Sequence, residues 1–309
     1  MKEIYVNLKR FDVPKEMGGI CPRKNPVDWI CSTVSETIEE GLGNISGVSV
    51  TYFLPEALLV PAFHEMSRHS EKEIGSFSIG CQGVFREDVV PGRNFGAFTT
   101  NRPAASMKAL GCSWTMIGHS EERKDKMGIL TAYEEKIDRD KEAYEHAEQS
   151  VSSMLNQEVC AALDRKMNVL FCVGETAGQK GSDLPEEYEP RVREVLREQI
   201  IHGLKGAAEK KGDLKIAIGY EPIWAIGPGK TPPGGGYVSF VSSYIKDVCR
   251  EEFGMELPVV YGGGLKEENA SEMAAVETLD GGLVALTKFT QPIAFDVSSL
   301  KNIISAYVK

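Results

Sequence analysis

The chain is read outward from Leu214-Lys215-Ile216-Ala217-Ile218-Gly219-Tyr220-Glu221-Pro222-Ile223-Trp224-Ala225-Ile226-Gly227-Pro228-Gly229-Lys230-Thr231. Its first part, Lys215–Tyr220, is a short apolar run of the kind found in strands covered on both faces. The carboxylate of Glu221 follows at the carboxyl end of that strand, and Pro222 stops the strand there. The apolar segment Ile223 to Ile226 is unusual for a water-facing loop, and glycine and proline at 227–229 mark a turn. Two readings stand: a base on a rigid strand with an apolar lid that expels water from a small ligand, or a buried glutamate followed by a surface loop.

Seven more strand-type runs surround this one, at about Ile4–Leu8, Val48–Leu54, Phe77–Cys81, Ser113–Ile117, Asn168–Val173, Leu257–Tyr261 and Gly282–Leu286. Helical patterns separate most of them, for example Val27–Glu40, Glu187–Lys210 and Val238–Phe253. Strand–helix alternation eight times over implies a parallel sheet in an α/β protein, and eight is the number that closes a (β/α)8 barrel. The rival is a doubly wound open sheet, but no G-x-G-x-x-G follows the first strand. With 309 residues, a single barrel domain of roughly 250 residues leaves about 60 to place elsewhere. The surplus falls mainly between the fourth and fifth strands, where about 124–154 reads as a helical insertion. From Ile129 to Met167 there is neither glycine nor proline. Leu130, Tyr133, Ile137, Tyr144, Ala147, Val151 and Met154 recur near helical spacing, with Asp140 as the polar interruption. One long helix or two in line follow, either as an added oligomer contact or as packing on the chain's own barrel.

Polar and glycine residues collect after the strands: Asn7 and Lys9, Gln82, Gly118-His119-Ser120-Glu121, Gly174-Glu175-Thr176, Glu221, and Gly262-Gly263-Gly264. That is the end where barrel enzymes carry their chemistry. Taken singly, the residues are ambiguous. A lone histidine is more often structural, Lys9 is an ordinary solvated lysine, and Glu121 suits a helix first turn.

Bulk properties narrow the partners. A formal charge of −10 argues against a nucleic-acid backbone, although local donors still suffice for an anionic small molecule. The cysteines number seven, unevenly spaced and without C-x-x-C, which suits reduced thiols and a cytoplasmic location rather than a disulfide framework. The amino terminus lacks the apolar run of a signal peptide. No apolar run approaches the about 18 residues of a membrane span. No His/Cys cluster has metal-ligand spacing, so no metal is expected.

These strings resemble the triosephosphate isomerase family. The resemblance runs through Tyr5-Val6-Asn7-Leu8-Lys9, Gly96-Ala97-Phe98-Thr99, Gly118-His119-Ser120-Glu121, Cys172-Val173-Gly174-Glu175-Thr176, the lid string after Tyr220, and Tyr261-Gly262-Gly263. The stretches near 18–24 and 124–154 are poorly covered. The resemblance implies a TIM barrel and an isomerase of glyceraldehyde 3-phosphate and dihydroxyacetone phosphate, with a place in glycolysis and gluconeogenesis and no organic cofactor. Glu221 matches the base that takes a carbon-bound proton, and His119 matches the neutral imidazole that moves protons between the substrate oxygens. Lys9 matches the lysine set against the developing enediolate, Asn7 helps to position substrate and lysine, and Glu121 is the acid beside lysine and histidine. Gly227, Gly264 and the amides of Ala285 and Leu286 are the expected phosphate holders.

Departures from the family pattern are also legible. Gly264 stands at a serine position, and Ala285 and Leu286 stand where two glycines are usual. Glycine admits a phosphate most closely, so Leu286 narrows that end and Lys288 offers a replacement charge. Pro228 lies at the lid's far hinge, and Pro232-Pro233-Gly234-Gly235-Gly236 replaces the usual helix start. Asn101 and Glu122 remove both ends of an ion pair that crosses the family dimer, so a homodimer through the loop around Thr99 is expected with an altered contact. Two alternatives to the default substrate follow: another small ketose phosphate, for example a tetrulose phosphate, or a weakly catalytic paralogue that binds sugar phosphates.

Overall fold

The computed structural model describes residues 1–227, 229–288 and 293–308. Eight parallel strands close a barrel in chain order: β1 (Lys2–Asn7), β2 (Val48–Leu54), β3 (Phe77–Cys81), β4 (Trp114–Ile117), β5 (Asn168–Val173), β6 (Ile216–Tyr220), β7 (Val259–Tyr261) and β8 (Gly281–Val284). The seam is β1 against β8, with Val6 opposite Val284, while Asn7 pairs with Phe53 on the other side.

Period-two alternation sorts the strand residues into two layers. One set, including Tyr5, Phe53, Trp114, Met116, Leu170, Cys172, Val260 and Leu283, fills the barrel interior. Their neighbours Ile4, Val6, Val50, Val169, Phe171 and Ile218 face the helices. Both faces are apolar because both are covered, which is why the strands read as continuous apolar runs.

The stretch after β4 folds as two helices, Ser120–Tyr133 and Lys141–Asp164, with a short 3-10 turn at Glu135–Asp138. Asp140 breaks them: its carboxylate accepts the Ala143 N–H at 2.8 Å and caps the second helix. That helix buries Val151, Leu155, Val159 and Leu163 in the core of its own barrel. The pattern read as one helix over Glu187–Lys210 divides into Pro185–Gly203 and Ala207–Lys211, with Gly206 in the left-handed region at φ 70°. The helix after the lid begins at Gly235, whose N–H is held by Glu272 at 2.8 Å. No described helix is long and apolar enough to cross a membrane.

Candidate active site

The expected residues meet at the carboxyl ends of the strands around a cavity of about 290 Å³. Asn7, Lys9, His119, Glu121, Glu221, Gly227, Gly264, Ala285 and Leu286 all line it, joined by Ile226, Leu283 and Ile293. The lid hinge at Pro228 lies outside the described residues.

Glu221 leaves β6 held by its neighbours. Its N–H donates to Val173 O at 2.8 Å, and its side chain is buried. The carboxylate accepts the Ser120 N–H at 3.0 Å and stands 3.1 Å from His119 Nε2. His119 is the N-cap of the Ser120–Tyr133 helix, and its Nδ1 accepts the Glu121 N–H at 3.3 Å. An Nδ1 that accepts carries no proton, so the network assigns a neutral ring protonated on Nε2. Nε2–H then donates to Glu221. The approach of Asn7 Nδ2 to the same nitrogen at 3.3 Å is a contact between two donors, not a hydrogen bond.

Lys9 occupies a strained backbone position at φ 28°, uncommon for a residue with a Cβ. Two side chains hold it there. Asn7 Oδ1 accepts the Lys9 N–H at 2.9 Å, and Gln82 Nε2 donates to Lys9 O at 2.9 Å and to Asn7 Oδ1 at 3.0 Å. The ammonium lies 2.8 Å from Glu121 Oε1. Partial burial pushes the Glu121 carboxyl up, but the hydrogen bond and charge of Lys9 outweigh it and hold the group below the usual carboxylate range. Gln82 was noted in the sequence as a strand-end residue, but its role needs three loops in contact and has no local signal.

The apolar segment after β6 rests on a second buried acid. Glu175, at the end of β5, is fully buried, and one oxygen accepts Trp224 Nε1–H at 2.7 Å, Tyr237 O–H at 2.7 Å and Tyr220 O–H at 3.0 Å. Burial raises its pKa, with the three donors opposing. Lys180 lies over the Trp224 ring at 4.6 Å. Ile223 N–H donates to Glu175 O at 3.1 Å, so both ends of the acid grip the lid's first turn.

Beyond β8, Thr287 and Lys288 N–H donate to Ala294 O at 3.1 Å each, so Lys288 and Ala294 are paired antiparallel. This pairing sets Ile293 at the cavity beside Leu286. Lys288 points outward, exposed; burial raises the pKa of Asp296, but the Ser299 and Ser298 hydrogen bonds and the Lys288 charge outweigh it and lower the pKa overall. Lys288 does not line the cavity and so supplies no replacement charge there. Gly264 adopts φ 87°, a conformation that a serine would adopt only with strain. Glu122 also differs from the expectation of a simple lost ion pair: it turns inward, 2.7 Å from Lys126.

The fold and site together define a (β/α)8 barrel protein in which a carboxylate, an imidazole and an ammonium converge on one cavity beside the apolar Ile226. The family model described as triosephosphate isomerase matches residues 44–292. The triosephosphate isomerase of Chloroherpeton thalassium is 32% identical over 213 residues, 68% of this chain and 70% of that one. That of Carboxydothermus hydrogenoformans is 29% identical over 282 residues, 90% of each chain. The crystal structure of the Bartonella henselae triosephosphate isomerase superposes with a TM-score of 0.67, covering 100% of this chain and 99% of that one, at 23% identity that speaks to the fold alone. The chain belongs to the triosephosphate isomerase family.

Proposed function

We propose that the protein is an intramolecular aldose–ketose isomerase of small phosphorylated sugars, with glyceraldehyde 3-phosphate and dihydroxyacetone phosphate as its substrate pair. The observation that carries this reading is the buried Glu221 carboxylate, 3.1 Å from a neutral His119, at a cavity lined also by Lys9. Glu221 removes the proton from the carbon next to the carbonyl, and the electron pair moves to the carbonyl oxygen to give an enediolate. His119 Nε2–H donates to that oxygen and the ring recovers a proton from the neighbouring hydroxyl. Glu221 then returns its proton to the adjacent carbon, so no atom is gained or lost. Lys9 offsets the negative charge that develops on the oxygens. Closure of Ile223–Ile226 excludes water, which favours return of the proton to carbon over side reactions.

A second reading, in which the substrate is a longer ketose phosphate such as a tetrulose phosphate, draws on the altered residues Gly264, Ala285 and Leu286 that line the cavity. The exposed loop that carries Phe95 and Thr99 supports a homodimer of the family kind. A coupled assay with glyceraldehyde 3-phosphate tests the main reading. Turnover that Glu221→Gln lowers by about 10²–10⁴-fold is expected. Folded wild-type protein with no turnover of triose phosphate, or turnover indifferent to Glu221→Gln, sinks it.

A further inference from the structure

The peptide that carries His119 is gripped from both sides. Glu122 Oε2 accepts the Gly118 N–H at 2.7 Å. Arg123 donates through Nε to Gly118 O and through a terminal nitrogen to Cys172 O, each at 2.9 Å. Gly118 stands at φ 79°, where a glycine peptide has the freedom to turn, so these bonds decide which way it faces.

Glu122 is itself held from behind. Lys126 Nζ lies 2.7 Å from Glu122 Oε1 and 3.0 Å from Glu158 Oε1, and Glu158 comes from the Lys141–Asp164 helix. The Glu158 side chain is only 5% exposed. Two carboxyls sharing one ammonium in so dry a place cannot both ionise without a large cost. Glu158 Oε2 is buried and meets no N–H or O–H donor. An oxygen without a donor beside it suits a carboxyl that keeps its own proton, with the Glu122 carboxylate on the same ammonium as its nearest acidic neighbour. Burial and then the Glu122 charge push the Glu158 carboxyl up to about 9. Burial opposes ionisation of Glu122 too, but the Glu158 hydrogen bond, Lys126 and the Gly118 N–H together lower its pKa. The opposite directions of these two shifts suit one proton shared between the carboxyls, with Lys126 balancing the remaining charge.

We propose that the Glu122–Lys126–Glu158 cluster positions His119, fixing the Gly118 peptide so that Nδ1 faces the Glu121 N–H and Nε2 faces Glu221. Its kinetic consequence rests on the isomerase reading above. A glutamate that merely capped the helix would need neither a half-buried ammonium nor a buried acid behind it. The cluster ties the loop of His119 to the long helix after β4, so the about 50-residue connection between β4 and β5 contributes to the site.

The test compares Glu158→Leu, Glu122→Asp and Glu158→Gln with wild type. Glu158→Leu removes the donor, Glu122→Asp withdraws the carboxylate from Gly118 while keeping its charge, and Glu158→Gln restores a donor of the same shape. Expected is a fall in kcat of about tenfold or more for the first two, with KM within about twofold, and near wild-type kcat for Glu158→Gln. The ¹⁵N spectrum of the His119 ring shows Nε2–H in wild type and a mixture of tautomers in the first two variants. A lowered melting temperature with unchanged kcat and ring spectrum is the mark of a purely structural cluster and overturns the proposal. Should wild type turn over no triose phosphate, the isomerase reading falls, and the ring spectrum alone decides: unchanged in the variants, it overturns positioning as well. If Glu158→Leu does not fold, Glu122→Asp carries both readouts.

Discussion

Replacing Glu158 by glutamine changes how stability depends on pH, and the size follows from the cluster. In the unfolded chain this carboxyl releases its proton near the ordinary 4.5, whereas in the folded protein it keeps it up to about 9. Across that window the folded state holds one proton more than the unfolded state, so rising pH favours unfolding. The stability is intact below the unfolded value and is lost as pH climbs toward the folded one. One proton corresponds to about 1.4 kcal/mol per pH unit, so wild type loses about 3 kcal/mol between about pH 6 and about pH 8 from this group. Glu122 adds nothing in that window, because its shift is downward and it is ionised throughout. The E158Q variant cannot titrate and lacks the slope, while its amide keeps a donor toward Glu122. Urea midpoints followed by tryptophan fluorescence at several pH values read the difference. The variant gains on wild type steadily as pH rises, by about 3 kcal/mol over those two units. Parallel curves mean that Glu158 ionises as an ordinary carboxylate in the folded protein, and they refute the shared proton.

Two further expectations concern the lid and the cavity wall. Tyr237→Phe removes one of the three donors on Glu175 and lowers stability by about 1–2 kcal/mol, read as a shifted urea midpoint; an unchanged midpoint means that the Tyr237 bond contributes nothing. Leu286→Gly gives phosphate closer access to the backbone after β8. It lowers KM for glyceraldehyde 3-phosphate if the apolar wall opposes that substrate, and an unchanged or higher KM shows that the wall is neutral or needed.

The architecture was legible because parallel strands covered on both faces leave continuous apolar runs, and eight of them were countable. Glu221 was legible for a local reason as well: a carboxylate at a strand's carboxyl end, followed by proline and an apolar lid, is a pattern within one short stretch. Asn7, Lys9, His119 and Glu121 followed from their places after strands and from the family resemblance. Other features were decided only by tertiary structure. Gln82 holds Asn7 and Lys9 from 73–75 residues away. Glu175 gathers donors up to 62 residues distant. Glu122 read as one end of a lost ion pair, yet it meets Lys126 on its own helix and Glu158 from another. Lys288 read as a substitute charge, yet it is exposed and does not line the cavity, whereas Ile293 does. Strand order and side-chain periodicity are local properties that a sequence carries in its spacing. The partner of a buried polar group is chosen by which loops the closed barrel brings together, and that choice leaves no trace in the spacing of either residue.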